Sequence, residues 1–242
     1  MTQFLMTGGS GRLGTELRRL VPDALAPDEL ELDITDASRV GAFFQSHLPG
    51  IVLHLAAFTD VKGAEAQKHA CWQVNVVGTR NVVRAANAVG AHLVHISTDY
   101  VFAGDRGMYR EEDPLGPPPN YYALSKLVAE EIARTADRCL VIRTSFRPRQ
   151  WPYPTAFTDV YTSQDYIDVI APMIAEAVLH LEQIPFDTLH VATERKTIYD
   201  LARRRSPDVK PCTSETAGVA YPKDVSLDSA RWSALRRTWS SA

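Results

Sequence analysis

Tyr122-Ala123-Leu124-Ser125-Lys126 sets a phenol four residues ahead of an ammonium, which puts the two on one helix face and within mutual reach. A tyrosine with a pKa near 10 is a poor acid at neutral pH until a nearby cation stabilises its phenolate. It can then exchange a proton with a substrate oxygen. Nine tyrosines and six lysines make this spacing rare: about 0.2 such pairs arise by chance, so a solvated helix face is the weaker explanation. Upstream, Ser97-Thr98-Asp99-Tyr100-Val101-Phe102 closes an apolar run. Thr98 therefore falls beyond the carboxyl end of a strand, where open α/β sheets bind ligands, and its hydroxyl could bond a carbonyl oxygen. Taken alone, Thr98 reads equally well as a turn residue.

A second group could hold an anion. Gly8-Gly9-Ser10-Gly11-Arg12-Leu13-Gly14 follows the first apolar run and opens a helical pattern, so Gly8, Gly11 and Gly14 would let the backbone turn tightly under a pyrophosphate facing the helix N-terminus. The spacing is G-x-x-G-x-x-G and not the usual G-x-G-x-x-G, a moderate signal for a dinucleotide. Asp28 and Glu29, after a short second run, suit a ribose 2′-hydroxyl and hence NAD, whereas Arg12 could meet the 2′-phosphate of NADP. Asp33 lies nineteen residues beyond Gly14, the usual count for the acidic residue, but after the second run. The choice between NADP and NAD stays open.

Short apolar runs at residues 3–6, 24–26, 51–55, 92–96 and 139–143 alternate with helical patterns, which predicts an α/β fold with a doubly wound parallel sheet. The clearest helix covers 66–89 and stops at Gly90. Prolines at 148, 152 and 154 mark a break. It divides a nucleotide-binding domain, 1–146, from a reduced substrate lobe, 147–242, that partly returns to the sheet. In the lobe the pattern predicts helices over 163–180 and 197–205, a strand over 189–192 and an irregular tail.

Composition narrows the class. With 26 Lys+Arg against 29 Asp+Glu the net charge is −3, so neither nucleic acid nor an anionic membrane is an expected partner. Cys71, Cys139 and Cys212 form no CxxC pair, and His92 and His95 point to opposite faces of a strand, so no metal is expected. With no basic leader at Met1 and no run of bilayer length, the chain reads as cytoplasmic.

The glycine turn, His54-Leu55-Ala56-Ala57-Phe58-Thr59, Asn75-Val76-Val77-Gly78-Thr79, the Thr98 and Tyr122/Lys126 segments and Arg143-Thr144-Ser145 together resemble the extended short-chain dehydrogenase/reductases. Within them the chain is most similar to the reductases of nucleotide-linked 4-keto-6-deoxyhexoses. The resemblance covers residues 1–146 closely and returns at 162–171 and 224–227. It implies a modified Rossmann fold and an NAD(P)H-dependent hydride transfer, with Tyr122 as general acid, Lys126 lowering its pKa and binding the nicotinamide ribose, and Thr98 holding the carbonyl. Gly8, Gly11, Arg12 and Leu13 would touch the pyrophosphate, Asp33 would approach the adenine, and Ala56, Ala57 and Thr59 would line the cofactor groove. Tyr100 after Asp99 speaks against the related dehydratases, which carry glutamate there. The resemblance also implies a homodimer.

The pattern departs on the substrate side. Phe146 stands where a tryptophan is expected, the lobe is short, and Tyr221-Pro222-Lys223-Asp224 replaces an Arg-Pro pair. Asp99, Tyr100, Phe146, Arg147, Trp151 and Lys223 are the candidate substrate residues. Arg147, Arg149 or Lys223 could meet a diphosphate, and Trp151 or Tyr153 could stack on a base, unless the aromatics simply pack their loop. A non-catalytic nucleotide-binding partner protein and a sugar-nucleotide epimerase are the alternatives.

Overall fold

The computed structural model describes residues 3–217 and 222–240, so Met1, Thr2 and Tyr221 lie outside the described residues. Strand β1 (Phe4–Thr7) runs into the glycine turn and helix α1 (Arg12–Leu20). Then follow α2 (Ala37–His47), β2 (Ile51–His54), α3 (Val61–Ala66) and α4 (Lys68–Trp72). A π-helical segment, Gln73–Gly78, joins α4 to α5 (Thr79–Val89), and Gly90 at φ 69° supplies the left-handed cap. β3 (His92–Thr98), α6 (Tyr121–Ala133) and β4 (Cys139–Thr144) complete this half.

The lobe starts with four short strands, β5 (Phe146–Arg147), β6 (Thr155–Phe157), β7 (Tyr161–Thr162) and β8 (Asp165–Tyr166). Helix α7 (Ile167–Leu179), β9 (Thr188–His190), β10 (Lys196–Thr197), α8 (Ile198–Arg203), β11 (Lys210–Cys212) and α9 (Ala230–Trp239) follow.

The central sheet is parallel in the order β1-β2-β3-β4-β9. Alternate residues take opposite faces, as the strand period requires. Met6, Leu53 and Val94 join α1, α7 and α9 in one core, while Leu5, Val52 and Leu93 join α2 and α5 in the other. Each such buried side chain contributes about 1.5–3 kcal/mol, and the two layers hold the strand ends rigidly. Leu25 bridges Leu5 on the outer side of β1 while β2 pairs on its inner side. Sheet growth thus reverses at β1, and a crevice opens beyond its carboxyl end.

Four expectations need correction. Residues 24–26 make two backbone hydrogen bonds to β1 and a single bridge, not a strand, because Pro22 and Pro27 confine them. The helix over 66–89 is interrupted by the π-helical segment, where Asn75 and Gly78 lie buried. Helix α7 begins at Ile167, after β8 has paired in parallel with β5. The tail is not irregular throughout, since α9 buries Trp232 and Leu235 against the α7 core; Arg231, Arg236 and Arg237 mask its apolar face in the sequence. Strand β9 adds to the central sheet beside β4, and a separate small core gathers Trp151, Ala156, Val160, Ile198, Ala202 and Val209. Among the described residues, no helix is long and apolar enough to cross a membrane.

Candidate active site

A cleft of about 1000 Å³ runs from the glycine turn to the lobe. Gly8, Gly11, Arg12, Leu13 and Gly14 form one end, Asp33 with Asp28 and Glu29 one rim, and Ala56, Ala57 and Thr59 the adjoining wall. Thr98, Asp99, Tyr100, Tyr122 and Lys126 lie at the centre, with Phe146 and Arg147 on the lobe side. These residues, far apart in sequence, meet because β1, β2, β3 and β4 all end at the same edge of a parallel sheet.

The glycine end fits a dinucleotide. Gly8 has φ +71°, and a Cβ there would come within 2.7 Å of the Ala56 backbone. A Cβ on Gly14 would lie 2.4 Å from the Gly8 carbonyl oxygen. Only glycine permits this close stacking of turn, helix and wall. No side chain caps α1, and its first turn holds no acidic residue, so its N–H groups and positive dipole end are left to an anion such as a pyrophosphate. Asp33 accepts from the Thr35 backbone and hydroxyl, each at 2.8 Å, which fixes this part of the rim.

The wall is clamped from behind. The Asn75 side chain accepts from the Phe58 N–H at 2.7 Å and donates to Ser125 Oγ at 2.8 Å, tying residues 56–59 to α6. His54 lies between the Thr7 and Thr79 hydroxyls, at 2.7 and 3.0 Å, and burial pushes it down to about 3, so it stays neutral. The sequence offers Asn75 only as part of a family-like segment and assigns it no role, since nothing in the hydrophobic period marks the π-helical turn that buries it.

The centre holds the Thr98 and Tyr122 hydroxyls, the Asp99 carboxyl and the Lys126 ammonium. Burial followed by the Asp99 carboxylate keeps the Tyr122 phenol above its ordinary range, with the Thr98 hydroxyl pulling the other way. Lys126, buried on α6, donates to the Ile96 carbonyl at 2.7 Å, and burial lowers it to about 8. The cation expected to lower the phenol is therefore held on the β3 backbone in this arrangement, and burial and Asp99 dominate Tyr122 instead. Asp99 is itself buried, which raises it to about 6 against hydrogen bonds from Thr98 and Ser145. Beneath them, Arg143 and Glu130 form a buried ion pair at 2.7 Å, with Ser97 donating to Glu130 at 2.6 Å.

The lobe candidates separate. Arg147 and Tyr153 line the cleft, joined by Gln164 and Tyr161, which the sequence did not single out. Trp151 does not line it; it belongs to the lobe core, where its indole N–H donates to Thr155 O. The proline-flanked tryptophan packs its loop. Lys223 is drawn away to Asp159 at 2.8 Å, and Arg149 is paired with Glu16 at 2.7 Å.

Comparison with known proteins agrees with this arrangement. The family model described as RmlD substrate binding domain matches residues 1–148. The spore coat polysaccharide biosynthesis protein SpsK of Bacillus subtilis is 38% identical over 152 residues, 60% of this chain and 53% of that protein. The chain spans about half the length of the curated relatives it matches. A hypothetical dTDP-4-dehydrorhamnose reductase from Sulfolobus tokodaii superimposes with a TM-score of 0.84 at 34% identity, covering 97% of this chain and 94% of that one. The dTDP-4-dehydrorhamnose reductase of Bacillus anthracis, solved in complex with NADP, gives 0.83 at 26% identity over the full length of both chains.

Proposed function

The chain belongs to the RmlD substrate binding domain family of the extended short-chain dehydrogenase/reductases, and from that membership we propose that it reduces the ketone of a nucleotide-linked 4-keto-6-deoxysugar with NADPH or NADH. The observation that carries this reading is the convergence of Thr98, Tyr122 and Lys126 on a cleft continuous with the glycine turn. A bound nicotinamide dinucleotide would supply the hydride. Gly8, Gly11, Arg12 and Leu13 would hold its pyrophosphate at the α1 N-terminus, Asp33 would approach its adenine, and Ala56, Ala57 and Thr59 would line its groove. Thr98 turns its hydroxyl from Asp99 to the ketone oxygen. Tyr122 gives that oxygen its phenolic proton as negative charge develops there, and water returns a proton to the phenolate. Lys126 would hold the ribose of that dinucleotide and, as a cation on the same helix face as Tyr122, would stabilise the phenolate.

Cofactor choice rests with the rim. Asp28 and Glu29 favour a free 2′-hydroxyl and Arg12 a 2′-phosphate, and the Bacillus anthracis relative was solved with NADP. NADPH and NADH are both retained as donors. The three free cysteines support a reducing, cytoplasmic setting. Family resemblance supports a homodimer. The test is dinucleotide oxidation, followed at the nicotinamide absorbance with dTDP-4-dehydrorhamnose generated in situ. Turnover by the native chain should fall by a factor of about 10² or more in Tyr122→Phe with dinucleotide affinity retained. Full activity in the variant would refute the proton-transfer role. Dinucleotide binding without turnover by the native chain would favour a non-catalytic partner protein.

A further inference from the structure

Several cations of the lobe are paired with carboxylates, and Arg147 is not among them. Arg149 is paired with Glu16, Arg195 with Asp224, Arg204 with Asp165, Arg205 with Asp168 and Lys223 with Asp159. Arg147 pairs with no carboxylate among the described residues, although it lines the cleft. Its Nε is shielded from solvent and has no hydrogen-bond acceptor. The backbone cannot readily move away, because β5 is registered against β8 through Arg147↔Tyr166. The guanidinium is braced as well, lying 5.6 Å over the ring of buried Trp151. Asp99 feels this charge from the cleft centre and accepts from Thr98 through Oδ1, but it makes no ion pair with Arg147, and its own buried Oδ2 is likewise without a hydrogen-bond partner.

A shielded donor without an acceptor is costly and rare in a folded chain. A guanidinium held over an aromatic ring presents a planar fork that matches phosphate oxygens. The dinucleotide's pyrophosphate already has the α1 N-terminus, so a substrate carrying its own diphosphate needs a second cation on the lobe side.

Resting on the reductase reading above, we propose that Arg147, braced by Trp151, is the residue that binds the substrate's diphosphate and thereby sets the keto group against Thr98 and Tyr122. Trp151 then serves recognition from within the core, as the plate under the arginine, and not by stacking on a base. The site selects for a nucleoside diphosphate over the corresponding uncharged nucleoside.

The experiment is calorimetric titration of the full chain with dTDP and with thymidine as probes, for the native protein, Arg147→Met and Arg147→Lys. Native protein should bind dTDP at least about tenfold more tightly than thymidine, the scale of a charge-assisted pair. Arg147→Met should abolish that advantage and Arg147→Lys keep part of it, with NADPH affinity unchanged as the check on folding. In the turnover assay Arg147→Met should raise KM by a similar factor and lower kcat by less. Native-like dTDP binding by Arg147→Met, or a native protein that does not prefer dTDP to thymidine, would overturn the proposal. Because binding is read without turnover, a failure of the reductase reading shows separately, as Arg147-dependent dTDP binding with no dinucleotide oxidation.

Discussion

The Lys126 ammonium donates to the Ile96 carbonyl oxygen at 2.7 Å, tying α6 to the strand whose carboxyl end carries Thr98. One hydrogen bond thus ties together the two elements that bear the Thr98 and Tyr122 hydroxyls. It holds a charge in a buried place, and burial brings the ammonium from 10.5 to about 8.

That charge has a pH signature. The folded pKa lies below the unfolded one, so the cost of burying the ammonium is present in full below about pH 8 and is relieved as pH rises towards 10.5. Lys126→Met should therefore be more stable than the native chain at pH 7, by at most about 3–4 kcal/mol, less the lost hydrogen bond to Ile96. Urea unfolding at pH 7 and pH 10 should show the gap closing. A gap that widens with pH would contradict the burial of a charged Lys126.

Asp99 runs the other way on the scale. Burial raises it from 3.8 to about 6, so its charge destabilises the fold above about pH 6, and the cost disappears as pH falls to about 4. Asp99→Asn keeps the oxygen that accepts from Thr98 at 3.0 Å and should be more stable than the native chain at pH 7, by about 2–3 kcal/mol at most. At pH 4 the two should unfold together. Equal differences at both values would mean that the carboxylate is not the source.

Beneath the cleft, Arg143 is 2% exposed at its side chain and Glu130 fully buried. Against the burial that would raise it, the Arg143 guanidinium and hydrogen bonds from Ser97 and Arg134 hold the Glu130 carboxyl below its ordinary value. Glu130→Ala leaves Arg143 buried and uncompensated, and should cost about 3–5 kcal/mol in chemical denaturation. Adding Arg143→Met should recover much of that loss. A double variant no better than the single one would show that packing, and not the charge, is what was lost.

Two glycines should answer oppositely to alanine. Gly14→Ala pushes a Cβ to 2.4 Å from the Gly8 oxygen and 2.6 Å from the Gly9 Cα, so NADPH and NADH affinity should fall at least about tenfold. Gly41 is inside α2, where an added Cβ would meet nothing within 4 Å, and Gly41→Ala should stabilise the chain by about 0.5–1 kcal/mol with unchanged dinucleotide binding. Fluorescence titration and urea unfolding of both variants check the pair.

The sequence carries local geometry well. The glycine turn, the Tyr122 and Lys126 spacing and Thr98 at a strand end are read within one strand or one helical turn, and the fold puts them in one cleft. Contacts between distant residues do not show in this way. Asp159 removes Lys223 from the cleft across 64 positions of chain, and Glu16 holds Arg149 across 133. Trp151 offers the same residue type to a base or to a core, and only Val160, Ile198 and Val209 around it decide for the core. The Asn75 clamp on Phe58 arises from a π-helical segment that no hydrophobic period announces.

The most direct measurement is isotope transfer. NADPH or NADH carrying deuterium at C4 of the nicotinamide, on either face, is incubated with the native chain and the 4-keto-6-deoxy sugar nucleotide, and the reduced sugar is examined by mass spectrometry. The expected result is a single deuterium on the carbinol carbon from one face of the nicotinamide, with no labelled product in Tyr122→Phe. A reduced sugar without label, or no reduction while the dinucleotide is bound, would contradict hydride transfer in the Thr98, Tyr122 and Lys126 cleft.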